Sequence, residues 1–305
     1  MSALPYYLIN AFPGATPHSG SQCAVVIIPE NDTRFEDSVY LQNVASDFNY
    51  PATAYLRFVK KNETEAEYEL RWFAAGELPF CGHGTVSSAK TIFSLYPSLL
   101  SIVFRTKVGD LKAMRVEEKV KVYVPEVPID EKIPDISWIG HKLEEVTTIS
   151  SADIVNVATF DWNGPSVLIE IKPEFDLKNA TVDGKGLGSL KAPMTIITQM
   201  AGEDEASLKI RSRVFLPDAA SIEDPVVSIF MLQPTGSAHT VLTGYYSTHP
   251  SPRSRLFTLR NSEFSILATQ VSSREGGMKT RYTADKRVII TASAVEWGRG
   301  HLSLL

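Results

Sequence analysis

The chain has 305 residues, 44% of them hydrophobic and 21% charged, with a formal net charge of −5. Those proportions suit a globular protein of one large domain or two middling ones. Charge of either sign is spread without blocks, which argues against nucleic acid or an anionic membrane as a partner. No run is apolar and long enough to span a bilayer, and the opening MSALPYYLINAF lacks the basic and apolar regions of a secretory signal. Cys23 and Cys81 are therefore expected as free thiols in a cytoplasmic protein, and the Asn-x-Thr sequons at Asn31, Asn62 and Asn179 carry no meaning.

Short β-like runs dominate the first half. Tyr6–Phe12, Cys23–Pro29, Thr53–Val59 and Tyr68–Ala74 are rich in aromatic and β-branched residues and predict strands. Val39, Leu41, Val44 and Phe48 fall near helical spacing, which predicts a helix over Phe35–Phe48. A second helix is expected from about Thr85 to Leu95, stopping before Pro97. More strands follow in SIVFRTKVGDLKAMRV and KVKVYVPEV. The proline-rich stretch Val124–Trp138 then reads as a linker, and divides an N-terminal half, 1–125, from a C-terminal half, 126–305.

The order of elements recurs after the linker. DIVNVATF, SVLIEIKP, APMTIITQMA and SLKIRSRVF read as strands, and Ser237–Ser247 as a short helix. The tail from Gly277 reads as a strand meander with turns at Asp285-Lys286 and at Gly298–Gly300, its last strands packing back on the N-terminal half. A local match sharpens the repeat. LRWFAAGELPFCGHGT carries Arg71-x-Phe73 and Glu77-x-Pro79, then Cys81-Gly82. The second half carries Arg213-x-Phe215 and Glu223-x-Pro225, then Thr235-Gly236. This shared order indicates an internal duplication. Val227–Pro234 interrupts the second copy, as a genuine loop or as a splicing artefact of the gene.

In each copy a tight turn feeds a helix. A helix start exposes unpaired N–H groups and a partial positive charge, which suits a carboxylate. Two such starts facing one another would grip a small acid. Gly82, Gly84 and Gly236 would let backbone approach it, with Thr85, Thr235 and Ser237 adding hydroxyls. Cys81 stands where a thiol becomes a better base or nucleophile, and His83 and Asp224 are placed to move protons. Each also has a plain structural reading: Cys81 as a buried filler, His83 as a cap, Asp224 as turn chemistry before proline. Glu77 and Glu223 are expected to bond backbone near the turns, and His239 to pack beside the site. The remaining histidines lack metal-ligand spacing, so no metal is expected, and no phosphate-loop or dinucleotide fingerprint is present.

These motifs resemble the phenazine-biosynthesis-like (PhzF-like) family. The pattern "RwFtP..E.PlCGHaT" is matched by RWFAAGELPFCGHGT, and "R.F.P..gi.EDPvTGSAh..L" by RVFLPDAASIEDPV and TGSAHTVL around the interruption. INAFPGATPHSGSQCAVVI and QVSSREGGMK match its opening and closing motifs. The resemblance implies an α/β (α+β) fold of two pseudo-symmetric halves, each a curled sheet or barrel around a central helix, as in diaminopimelate epimerase. It implies a site in the cleft between halves, a homodimer, no cofactor, and proton-transfer isomerisation of a small carboxylated metabolite. Gly82 and His83 match the family's cleft pair, Asp224 its substrate-orienting Asp, and Gly236 and Ser237 its second helix turn. In related epimerases a Cys takes the place of Cys81 and another that of Thr235.

The chain departs from the family at a telling place. The family's acid/base Glu lies in "NlsEtaf", and the matching NYPATAY puts Ala52 there. Gly20-Ser21-Gln22 replaces "GNP", and Arg274-Glu275-Gly276 replaces "RGG". Two functional readings follow. One is an isomerase that uses His83 or Cys81 in place of the missing Glu. The other is a catalytically impaired member that binds a small acid or serves as a dimeric interaction protein.

Overall fold

The computed structural model describes residues 3–130, 137–161, 164–204, 206–217, 223, 238–248 and 264–303. The chain divides into two compact units. The first comprises Met1–Val124 with Ile289–Leu305, and the second is drawn from Pro125–Val226 and Thr235–Val288.

In the first unit, β1 (Leu4–Ala11) and β2 (Ser21–Ile28) pair antiparallel, with Ile9 opposite Cys23. Helix α1 (Ser38–Phe48) follows. Its start is fixed by the Asp37 carboxylate, which accepts from the N–H groups of Val39 and Tyr40 at 3.0 Å. It ends at Asn49, whose left-handed φ of 50° stops the ladder. The sequence placed this start three residues too early, because Asp37 was read as part of the helix rather than as its cap. β3 (Ala52–Lys61) then lies parallel to β2, and β4 (Glu65–Phe73) returns antiparallel to β3. The two-residue β5 (Glu77–Leu78) folds back on β4.

Helix α2 (Gly82–Leu95) is enclosed by the first unit's sheet, and its buried residues point in every direction. An amphipathic surface helix would bury one stripe only. β6 (Ser101–Thr106), β7 (Gly109–Val116) and β8 (Lys119–Pro125) extend the sheet as an antiparallel meander.

The second unit repeats the plan. After β9 (Ile129–Asp130) and α3 (Ser137–Val146), β10 (Ile154–Asp161) and β11 (Pro165–Ile171) pair antiparallel. β12 (Thr195–Glu203) joins β11 in parallel, and β13 (Ser207–Phe215) pairs antiparallel with β12. Helix α4 (Ala238–Thr248) is buried from Ala238 through Tyr246, so it is the second unit's central helix. β14 (Ser265–Gln270) and β15 (Gly276–Tyr282) complete this sheet. Each unit is thus a curled sheet around a central helix, as the sequence led us to expect.

β16 (Arg287–Ala292) follows the turn at Asp285-Lys286, and β17 (Ala294–Leu302) pairs antiparallel with β1. The expected turn at Gly298–Gly300 does not exist. Both glycines lie within β17, opposite Leu8 and Tyr6. A Cβ on Gly300 would come within 2.6 Å of the Tyr6 hydroxyl, so the missing side chain serves packing rather than a bend.

Candidate functional site

The duplicated motif builds the same clamp in both units. Arg71 donates to Glu77 through Nε and Nη2, at 2.7 and 2.8 Å. Arg213 donates to Glu223 through the same atoms, at 2.7 and 2.9 Å. In each, Nη1 reaches a backbone carbonyl, of Phe35 at 2.5 Å and of Ala180 at 2.6 Å. Each guanidinium also lies over the ring two residues on, 5.1 Å from Phe73 and 5.2 Å from Phe215. The two glutamates therefore bond arginine side chains bidentately, where the sequence suggested backbone partners. Burial opposes the charge on Glu77, yet Arg71 and Lys107 hold its carboxyl below its usual range. In the first unit the clamp ties β4 to the turn that leads into α2.

At the start of α2, Cys81 is the cap. Its backbone is extended, and its thiol sulfur accepts from the Gly84 N–H at 3.3 Å. The helix begins at Gly82, three residues before the expected Thr85, because a sulfur does the work usually given to a Ser or Asp oxygen. Cys81 and His83 are both fully buried, and Sγ lies 3.3 Å from Nδ1 and 3.9 Å from Nε2. The helix start and the Gly84 N–H both favour negative charge on that sulfur, and an imidazole at this distance can take or return its proton.

The other residues of the turn have narrower duties. The Thr85 hydroxyl donates to the Cys81 carbonyl at 2.7 Å, closing the first turn on itself. A Cβ on Gly84 would stand 2.5 Å from Trp72 Cδ1 and 3.1 Å from the Cys81 sulfur, so this glycine makes room for protein. Trp72, which sequence reasoning passed over, is 1% exposed. Its indole N–H has no hydrogen-bond partner among the described residues, although it borders the Cys81–Gly84 turn. Its place in the Arg-x-Phe motif was the available signal.

Ala52 opens β3, fully buried and in register with Cys23 of β2. Ser87 of α2 lies beside the Cys23 thiol, so Ala52 belongs to the sheet face that α2 packs against. Burial pushes the Cys23 thiol up to about 12, which rules it out as a substitute base at neutral pH.

In the second unit, Asp224, Thr235, Gly236 and Ser237 lie outside the described residues, as does the Val227–Pro234 interruption. His239, in the first turn of α4, is fully buried, and burial pushes it down to about 4. Neither of its ring nitrogens has a hydrogen-bond partner among the described residues. Beneath α4 a polar row crosses the sheet, formed by Asn156, Glu170, Thr198, Ser212 and Gln270 on adjacent strands. Tyr245 donates to Glu170 at 2.7 Å and accepts from Asn156 at 2.9 Å, while Tyr246 meets Thr198 at 3.2 Å.

A profile of phenazine biosynthesis-like proteins matches residues 9–300. The chain belongs to the phenazine biosynthesis-like (PhzF) family. It is 28% identical to a phenazine biosynthesis-like domain-containing protein of Pongo abelii, over 99% of each chain. An uncharacterised isomerase of Halalkalibacterium halodurans is 30% identical over the full length of both. The crystal structure of a PhzF-family protein of Enterococcus faecalis, 24% identical, superposes with a TM-score of 0.74 over 99% of this chain and 100% of that one. That likeness concerns the fold. Within the PhzF family pattern, the Cys81–His83 pair is kept, and the carboxylate expected opposite Cys23 is absent at Ala52.

Proposed function

We propose that this PhzF-family chain is a cofactor-independent isomerase. It would move a proton within a small carboxylated metabolite held between the helix starts of its two halves. The observation that carries the reading is the Cys81–His83 contact of 3.3 Å at the capped start of α2. In the proposed step, the Cys81–His83 pair removes a proton from a carbon near the substrate carboxylate. The electron pair shifts into the adjoining bond, and the proton returns at a second atom. Nothing is oxidised or reduced. The α2 start holds the acid and stabilises the charge that develops. Asp224, Gly236 and Ser237, which match the family's substrate-orienting Asp and second helix turn, would orient the substrate. An isomerase among the relatives supports the reaction class.

The test is deuterium incorporation from D2O into candidate carboxylated metabolites, after a screen for those that raise the melting temperature. Wild-type protein should exchange a substrate C–H. Cys81→Ala and His83→Ala should each slow that exchange by about 10²- to 10⁴-fold, the usual worth of a positioned acid or base. Exchange that survives both substitutions would refute the assignment.

A second reading is favoured by Ala52 itself, which leaves the α2-facing wall without a carboxylate. The chain would then bind a small acid without turning it over. Stabilisation by an acid with no exchange in D2O is its signature. A gain of exchange in Ala52→Glu would mark chemistry lost by that one replacement.

A further inference from the structure

Trp72 is the buried polar side chain that the first unit's site leaves unexplained. It is 1% exposed, and its indole N–H has no hydrogen-bond partner among the described residues. Its neighbours fix the ring. β4 pairs Trp72 with Ala54, so it stands on the same sheet face as Ala52, two residues along β3. The Phe80 ring meets it edge-on, with centroids 6.0 Å apart. The pyrrole edge faces the first turn of α2. A Cβ on Gly84 would lie 2.5 Å from Cδ1, 3.0 Å from Nε1 and 3.1 Å from the Cys81 sulfur, so indole N–H and thiol border one point. Phe in this place would keep the packing without burying an unpaired donor.

An indole N–H only donates, so it needs an acceptor. Cys81 offers a carbonyl and a sulfur. The carbonyl is filled, because it takes the Thr85 N–H at 2.9 Å and the Thr85 hydroxyl at 2.7 Å. The sulfur, as a neutral thiol, is a weak acceptor that already draws the Gly84 N–H to 3.3 Å. As a thiolate it attracts both donors and the partial positive charge of the helix start. The neighbouring strands do not oppose that charge. On β2, burial pushes the Cys23 thiol up to about 12 and so keeps it neutral. On β4, burial and Tyr96 at the far end of α2 keep Tyr68 neutral as well. Arg71 alternates with Trp72 onto the other sheet face, where it pairs with Glu77. Ala52 contributes no carboxylate.

We propose that Trp72 is a positioning residue of the Cys81–His83 pair, and that its indole N–H is held in reserve as a donor to the Cys81 thiolate. In this step the S–H bond of Cys81 breaks and its proton passes to the His83 ring, whose Nδ1 is 3.3 Å away. Nothing is oxidised or reduced. The indole donor, unpaired beside the thiol, is paired beside the thiolate. Trp72 thereby moves the resting balance toward the ion pair from which proton abstraction starts. The inference rests on the proton-transfer reading for the use made of the pair, but its test needs no substrate.

The test uses the full chain with 15N-labelled indole rings, and follows the thiolate by its ultraviolet absorbance as pH is raised. The difference between wild type and Cys81→Ala assigns the absorbance to Cys81. The wild-type midpoint should lie below the ordinary thiol value of about 8.5. The Trp72 indole resonance should shift with that same midpoint, and should stand still in Cys81→Ala. Trp72→Phe keeps an aromatic ring beside Gly84 and removes the N–H. Its thiolate midpoint should rise by about one pH unit, a tenfold change in the ionisation constant. The wild-type titrations stand even if that variant folds poorly. Three results would overturn the proposal: a wild-type thiol that titrates at or above the ordinary value; an indole resonance that does not follow the thiol; or an unchanged midpoint in folded Trp72→Phe. Deuterium exchange without these titrations would keep the activity and remove the donor, and the titrations without exchange would do the reverse.

Discussion

In the first unit the sheet face beneath the central helix is apolar, and in the second it is crossed by polar side chains. The Arg71 and Arg213 clamps set the two frames in register. Leu70 then corresponds to Ser212, Leu56 to Thr198 and Ile27 to Glu170. The outer scaffold, whose clamp repeats to about 0.1 Å, has held while the interior has changed. A duplicated fold keeps its clamp and is free to vary what the central helix rests on. The Cys81–His83 thiol–imidazole pair is found over the apolar wall. There, low polarity strengthens the electrostatic interactions of a helix start.

Exchanging interiors should break this comparison most visibly. Leu70 is 2% exposed, and Leu70→Ser removes buried methyls and adds a hydroxyl, at a cost of about 3–5 kcal/mol by urea denaturation. Removing one member of either clamp comes next. Arg71→Met and Arg213→Met remove the bidentate partner of a partly buried Glu, and each should cost about 1–3 kcal/mol. Equal losses would sharpen the case for a common frame, while a loss confined to one unit would break it.

A comparable effect should appear as pH dependence. The unfolded imidazole of His239 titrates near 6.5 and the folded one near 4. Between those values the unfolded chain binds a proton that the folded chain refuses. Stability should therefore fall as pH drops through that window, by up to about 3 kcal/mol. His239→Phe should flatten this slope, and an unchanged slope would assign it to other groups. The smallest effect is expected from Ser212→Ala. The Ser212 hydroxyl has no partner among the described residues, so its removal should shift stability by less than about 1 kcal/mol in either direction.

Much of this was legible in the residues. The clamp was visible as a repeated Arg-x-Phe and Glu-x-Pro because it is local, and most strands announced themselves through β-branched and aromatic runs. The misses have physical causes. Gly298 and Gly300 read as a turn, but the information that makes them strand residues sits on a distant strand, in the side chains of Leu8 and Tyr6. α3 was passed over although Ile139, Leu143 and Val146 fall at helical spacing, because the proline-rich stretch before it read as a linker. At the site, the residue types at Cys81 and His83 were evident, but their contact depends on the thiol capping α2. The unpaired nitrogens of His239 and the closed hydroxyl of Thr85 could not be told apart by sequence, since both depend on what packs around the first turn of a helix.

The pairing of β1 with β17 also orders events in time. Leu4 meets Leu302, so β1 waits for a strand made nearly three hundred residues later before its sheet can close. Until then an unclosed hydrogen-bonding rim is open to other nascent chains.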